Sequence, residues 1–140
     1  MAENSGFPEE HAQIETLRFW QTLEALLTSH KLVIDRPRGE AHPKYADLIY
    51  PLDYGYLEGT SAGDGDGIDV WIGTEPALGL VGIVCTFDPV KADAEIKLLL
   101  GCTAREVDIV THFNDAFMSY LFIPKPPSPL TPLPKSGEGN

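Results

Sequence analysis

Cysteine is scarce in this chain, with two in 140 residues, Cys85 and Cys102, and no CxxC pair. A disulfide framework and a zinc knuckle are therefore excluded, and both thiols, set in apolar runs, are expected as buried free cysteines. Positive charge is also scarce: 10 Lys and Arg stand against 21 Asp and Glu, a formal net charge of −11. Without a basic stripe there are no counterions to release from phosphates, so neither nucleic acid nor an anionic membrane is an expected partner. A polyanionic ligand would need metal ions as a bridge. Long apolar runs are missing too. None approaches the roughly 18 residues of a membrane span, and the N-terminus shows no basic segment followed by an apolar one, so a cytoplasmic chain is expected. What remains is an apolar fraction of 43% over 140 residues, enough for the core of one ordinary domain.

Periodicity divides the chain. Residues 1–9 are polar and aperiodic. From Glu10 the apolar residues Ile14, Leu17, Trp20, Leu23 and Leu27 recur at three- and four-residue spacing, which predicts an amphipathic helix ending near His30. Leu32 to Ile34 reads as a β run, and Pro37, Gly39 and Pro43 mark a loop after it. Short strands are expected at Leu48 to Tyr50 and Tyr54 to Gly59. Ile68 to Gly73 and Leu80 to Phe87, separated by a turn from Pro76 to Gly79, read as neighbouring strands, and another follows from Glu95 to Leu100. Thr103 and Glu106 form a T-x-x-E capping box that announces a second helix of about four turns. From Pro124 onward six of seventeen residues are proline. That tail lacks packing periodicity and is expected to be disordered or polyproline-like. The expected class is α+β, mainly β: a domain over residues 10–123 built as a small five-stranded OB-like barrel flanked by two helices, with residues 1–9 and 124–140 outside it. Trp20 and Trp71 are assigned to the core.

The most informative stretch is YPLDYGYLEGTSAGDGDGIDV, residues 50–70. It packs Asp64, Asp66 and Asp69 into six residues, with glycines at 63, 65 and 67 that let the backbone turn tightly between them. Carboxylates this close repel one another unless a cation sits among them. All-oxygen ligation suits Mg2+, Mn2+ or Ca2+ rather than zinc. An EF-hand reading fails, because Ile68 occupies a ligand position and Asp69 the place of the turn glycine, while Val70 to Gly73 is β-like. A polar turn without metal is the simpler alternative. His11, His30, His42 and His112 show no paired ligand spacing.

A second acidic group lies in DPVKADAEIKLLLG, where Asp88, Asp93 and Glu95 surround Lys91 and Lys97. If Ile96, Leu98 and Leu100 face the core by alternation, Glu95 and Lys97 share the opposite face. Side by side they suit a metal and a phosphate oxygen respectively. A solvated salt bridge is the competing reading.

YPLDYGYLEGT followed by DGDGIDV resembles the signature of the soluble magnesium-dependent inorganic pyrophosphatases. In that family a Tyr-Pro-x-x-Tyr-Gly-Tyr strand precedes Asp-x-Asp-Pro-x-Asp. The one departure inside the signature is Gly67 where proline is usual. Upstream, VIDRPRGEAHPKY is similar to the family's opening strand, with Asp35 nine positions before Lys44 as the acidic residue and the phosphate lysine. Downstream, Asp88 fits the first of two further metal-binding aspartates, and the second is Asp93 by spacing or Glu95 by its offset from Lys97.

The resemblance implies a Mg2+-dependent hydrolysis of inorganic pyrophosphate. The implied metal ligands are Asp64, Asp69, Asp88, Asp93 or Glu95, and Asp35. Asp66 would be the general base, and Lys44, Tyr54 and Lys97 would bind substrate phosphates. Homo-oligomers are implied as well. Two family features are missing: the hairpin carrying a phosphate-binding arginine, since Lys44 and Tyr50 are six residues apart, and a Tyr-Lys pair replaced by Phe117 and Met118. A divergent protein with weak or altered phosphoanhydride specificity, or one that binds metal and phosphate without turnover, is the alternative expectation.

Overall fold

The structure is a computed structural model that describes residues 9–63, 65–113 and 118–127. Helix α1 (Glu9–Ser29) is followed by strands β1 (Leu32–Arg36), β2 (Asp53–Leu57), β3 (Ile68–Ile72), β4 (Leu80–Asp88) and β5 (Asp93–Leu100). Helix α2 (Ala104–His112) and strand β6 (Ser119–Pro124) complete the described elements. Two of the expected helices and most of the expected strands are therefore present, and the class is α+β.

The closed barrel is not. Six strands form one open mixed sheet in the order β1-β2-β3-β5-β4-β6, with β1 and β6 at its edges. β3 and β4, read from the sequence as neighbours, are separated by β5, which runs parallel to β3 through Val70↔Leu98 and Ile72↔Leu100 and antiparallel to β4. The connection from β3 therefore passes over β5 to reach β4. Pairing partners so far apart in the chain leave no local signal. β6 was also missed. Its alternation, Tyr120 and Phe122 toward one face and Leu121 and Ile123 toward the other, is short and abuts the proline run. Lys125 stays tied to the sheet, its N–H donating to the Val81 carbonyl at 2.9 Å and its Nζ lying 3.2 Å from Glu24. Residues 128–140, most of the expected tail, lie outside the described residues, as do residues 1–8.

Strand alternation sorts the core into two layers. One face of the sheet presents Leu57, Val70, Ile83 and Leu98 to α1, which answers with Trp20, Leu23, Leu26 and Leu27. The N-terminal part of the α1 stripe is not used this way, for Ile14 is 49% exposed. The opposite face presents Trp71, Val84 and Leu99 to Val107 and Val110 of α2, with Tyr50 and Leu52 packed beside them. Burying such side chains supplies about 1.5 to 3 kcal/mol each. The two tryptophans assigned to the core are there, Trp20 and Trp71 being 6% and 2% exposed. Cys102 is buried as expected, whereas Cys85 is only half-buried. Burial, then the Glu106 carboxylate, pushes the Cys102 thiol up to about 12, so it acts as a small hydrophobe.

Helix α2 spans 9 residues rather than four turns. It starts at the expected box: Thr103 Oγ1 accepts from Glu106 N at 3.1 Å, and Glu106 Oε1 accepts from Thr103 N at 2.9 Å. Glu106 also accepts from Thr74 N and Oγ1, at 3.1 and 2.7 Å, which binds the end of β3 to the helix start. Burial works against its charge, yet these hydrogen bonds from Thr74 and Thr103 hold the Glu106 carboxyl below its usual range. Between β1 and β2, the expected strand at 48–50 is reduced to a single bridge, Ala41↔Ile49, at the base of a loop that carries Lys44.

Candidate functional site

Three neighbouring strands each contribute to one polar group on the α2 side of the sheet. In β2, Tyr54 and Tyr56 alternate with Gly55 and Leu57, and Leu57 is fully buried under α1, so the tyrosines face the other way. Gly55 is required here, because a Cβ at this position would collide with the Val33 carbonyl of β1. In β3, Val70 points to α1, which sends Asp69 and Trp71 to the tyrosine side. In β5, Leu98 points to α1, so Glu95, Lys97 and Leu99 join them, in the arrangement that alternation predicted for Glu95 and Lys97. Ile96, on the α1 side, remains 42% exposed.

Lys97 is the hub. Its Nζ donates to Asp69 Oδ2 at 2.8 Å, to the Tyr54 hydroxyl at 2.8 Å and to Glu95 Oε1 at 3.3 Å, while Tyr54 donates to Asp69 Oδ2 at 2.7 Å. The lysine, Asp69 and Glu95 side chains are 11%, 23% and 15% exposed, so this group is largely shielded from water. Burial would lower the Lys97 pKa, but the Asp69 and then the Glu95 carboxylate outweigh it and hold the ammonium above its ordinary value. Burial first, then Asp69, pushes the Tyr54 phenol well above 10, so it stays a protonated donor. Two carboxylates against one ammonium leave a formal surplus of one negative charge in a shielded place.

Behind this group stands an aromatic wall. Tyr54 packs edge-on to Trp71 at 4.6 Å, and Tyr50 lies 5.4 Å from Tyr54 and 5.1 Å from Phe113 between ring centroids. His42 stacks on Tyr50 at 6.0 Å with planes 4° apart. Tyr50 itself lies outside β2, so it does not alternate along one strand with Tyr54 and Tyr56 as the sequence pattern implied. Its hydroxyl sits within reach of the Arg36 guanidinium, with Lys97 and Asp35 close enough to be felt. Burial dominates, and the Tyr50 pKa is raised.

The sequence candidates divide accordingly. Tyr54, Asp69, Glu95 and Lys97 are brought into direct contact. Of the two alternatives for one metal ligand, it is Glu95 that shares a cation with Asp69. Asp35 is exposed on β1 near Tyr50, and Lys44 is exposed on the loop, where its backbone N–H donates to His42 Nδ1 at 3.0 Å. Asp66 is exposed in the turn before β3, its carbonyl accepting from Ala62 N at 2.6 Å. Asp64 lies outside the described residues. Asp88 serves the β4–β5 hairpin, with Oδ1 accepting from Val90 N at 2.9 Å and Lys91 N at 3.2 Å, and Asp93 pairs opposite it across the hairpin. Among the described residues no three His, Cys, Asp or Glu side chains converge as a metal-binding group. The donor chemistry nevertheless fits a hard divalent ion in part. Lys97 takes one oxygen each from Asp69 and Glu95, so two carboxylates from separate strands address one locus with oxygen donors alone.

Arg36, His42 and Tyr50 were not singled out from the sequence for this site. The reason is a β-bulge. Leu32, Val33 and Ile34 pair with Leu57, Tyr56 and Gly55, so unbroken register would place Asp35 opposite Tyr54, but a shift between Ile34 and Arg36 puts Arg36 there instead. A one-residue slip exchanges faces, and nothing local in VIDRP announces it.

In comparison with known proteins, no family model matches the chain and no curated protein is significantly similar to it.

Proposed function

We propose that this chain hydrolyses inorganic pyrophosphate to two phosphates with the help of a divalent cation, Mg2+ being the expected one. The observation that carries the reading is the Tyr54–Asp69–Lys97–Glu95 group, in which residues of two separate sequence motifs, 28 positions apart for Asp69 and Lys97, share hydrogen bonds in a shielded place. Phosphoryl transfer asks mainly for positioning and for stabilisation of charge, and these side chains are suited to both.

Asp69 and Glu95, together with aspartates of the 64–66 turn, would hold the cation, which when bound neutralises phosphate charge and lowers the pKa of a coordinated water. Lys97, kept charged by its carboxylate neighbours, would exchange one of its contacts for a phosphate oxygen. Tyr54, kept protonated, would donate its hydroxyl to another. Asp66, exposed at the mouth of the same turn, would accept a proton from the attacking water. The water oxygen then bonds to one phosphorus as the bridging P–O bond breaks, and the leaving group departs as phosphate.

The test is phosphate release from pyrophosphate by purified chain with Mg2+, alongside Asp66→Asn and Asp69→Asn. Release that depends on Mg2+ and drops at least about a hundredfold in both variants is expected. Equal rates in wild type and Asp66→Asn would remove the base assignment, and no release at all would remove the reaction. A second reading, binding of metal and phosphate without efficient turnover, is favoured by Asp88, whose carboxylate is engaged in a turn. Pyrophosphate binding without phosphate release would select it.

A further inference from the structure

We infer that Arg36, re-aimed by the bulge in β1, forms with Tyr50 a second anion subsite beside Lys97, suited to the second phosphoryl group of a diphosphate. This inference rests on the reading of Tyr54 and Lys97 as a phosphate-binding pair.

Three observations converge on it. First, the register shift between Ile34 and Arg36 sets Arg36 opposite Tyr54 on β2, whereas regular pairing would have placed an aspartate there. Bulges recur where a strand must re-aim a side chain, and this one exchanges a carboxylate for a guanidinium beside the polar group. Second, Tyr50 connects the two places. Its ring lies 5.4 Å from that of Tyr54, its hydroxyl is within reach of Arg36, and Lys97 is close on the other side, its Nζ 5.4 Å from the Tyr54 ring centroid. Two cations therefore flank one pair of phenols, in a protein whose formal charge is −11.

Third, the surroundings hold this arrangement in place. His42 Nδ1 accepts from the backbone N–H groups of Lys44 and Tyr45, at 3.0 and 3.3 Å, so the ring is neutral with its proton on Nε2. That ring stacks on Tyr50, and Trp71 and Phe113 pack on Tyr50 from other directions, at 5.8 and 5.1 Å between centroids. Tyr50 is consequently fixed and 6% exposed. A guanidinium offers paired donors for a phosphate, and a hydroxyl held in place adds a third without ordering cost. Lys97 and Tyr54 provide for one phosphoryl group, and Arg36 with Tyr50 for its neighbour. The ligand class is thus an inorganic or organic diphosphate in preference to a single orthophosphate.

Calorimetric titration of the full chain with pyrophosphate and, separately, with orthophosphate tests this, using wild type, Arg36→Gln and Arg36→Lys. Arg36→Gln is expected to weaken pyrophosphate about ten- to hundredfold while leaving orthophosphate within about twofold, and Arg36→Lys to recover part of the loss. Thermal unfolding of each variant controls for folding, since a loss of binding that tracks a loss of folded protein would be structural and would overturn the assignment. Unchanged pyrophosphate affinity in Arg36→Gln, equal weakening of both anions, or no binding of either by wild type would also overturn it. The two proposals separate cleanly. Phosphate release insensitive to Arg36 defeats the subsite and leaves hydrolysis standing, whereas Arg36-dependent pyrophosphate binding without phosphate release does the reverse.

Discussion

Lys97 Nζ and Asp69 Oδ2 lie 2.8 Å apart between two parallel strands, and Glu95 Oε1 lies 3.3 Å from the same nitrogen. This ammonium is what allows two carboxylates to remain ionised in a shielded place. Lys97→Met leaves them uncompensated, and a loss of about 3 to 5 kcal/mol is expected, read as a lower urea midpoint at unchanged slope. Adding Asp69→Asn to Lys97→Met should restore part of that loss. A double variant less stable than Lys97→Met would show that the pair is not coupled in this way.

Tyr54→Phe removes a hydroxyl that donates to Asp69 and accepts from Lys97. Hydrogen bonds to charged groups contribute about 1.5 to 3 kcal/mol, so a stability loss in that range is expected. Phosphate release should fall at least tenfold on the proposed mechanism, by about one hydrogen bond to the reacting phosphate. Full activity in Tyr54→Phe would remove the hydroxyl from the substrate contacts.

Gly67 stands where the resembled signature has proline. A Cβ at 67 would approach the Leu57 carbonyl oxygen and Tyr56 Cδ2, both at 2.8 Å, closer than any relaxed contact. Far from merely loosening the turn, the glycine lets it close onto β2. Gly67→Pro is therefore expected to destabilise by about 1 to 3 kcal/mol through overpacking. Thermal denaturation checks this, and a variant as stable as wild type would place the turn elsewhere in solution.

His42 supplies a pH signature. Burial first, then Arg36 and Lys44, hold its pKa below 6.5, and its Nδ1 is already an acceptor for two backbone N–H groups. The folded state binds a proton less readily than the unfolded chain, so the His42 contribution is complete above pH 6.5 and is lost as pH falls through the lower folded value. The groups facing the ring are Tyr45 and Tyr50, with Arg36 and Lys44 nearby. Replacing His42 with Gln should flatten the fall in stability just below pH 6.5. An unaltered pH profile in His42→Gln would assign that fall to another group.

Trp20 is the one α1 residue buried below 9% exposure, and it anchors the helix over Leu57, Val70 and Leu98. Trp20→Ala is expected to cost about 3 to 5 kcal/mol by chemical denaturation. Ile14→Ala, at a position 49% exposed on the same stripe, should change stability by less than about 0.5 kcal/mol. Similar losses for both would mean that the whole stripe is docked.

Local patterns in the chain carried a good deal of this. The three-four spacing before His30 marked α1, Thr103 and Glu106 marked the start of α2, and alternation placed Glu95 and Lys97 together on one face. Each depends on neighbours within a few residues, where backbone geometry alone decides which side chains meet. What the chain did not disclose were the relations between distant segments: β5 lying between β3 and β4, the open edges in place of a barrel, and β6 added beyond β4. The bulge that exchanges Asp35 for Arg36 opposite Tyr54 belongs with these. Strand pairing is chosen by burial and register across the whole sheet, and a slip of one residue reverses every side chain after it, so such choices are made when the layers pack.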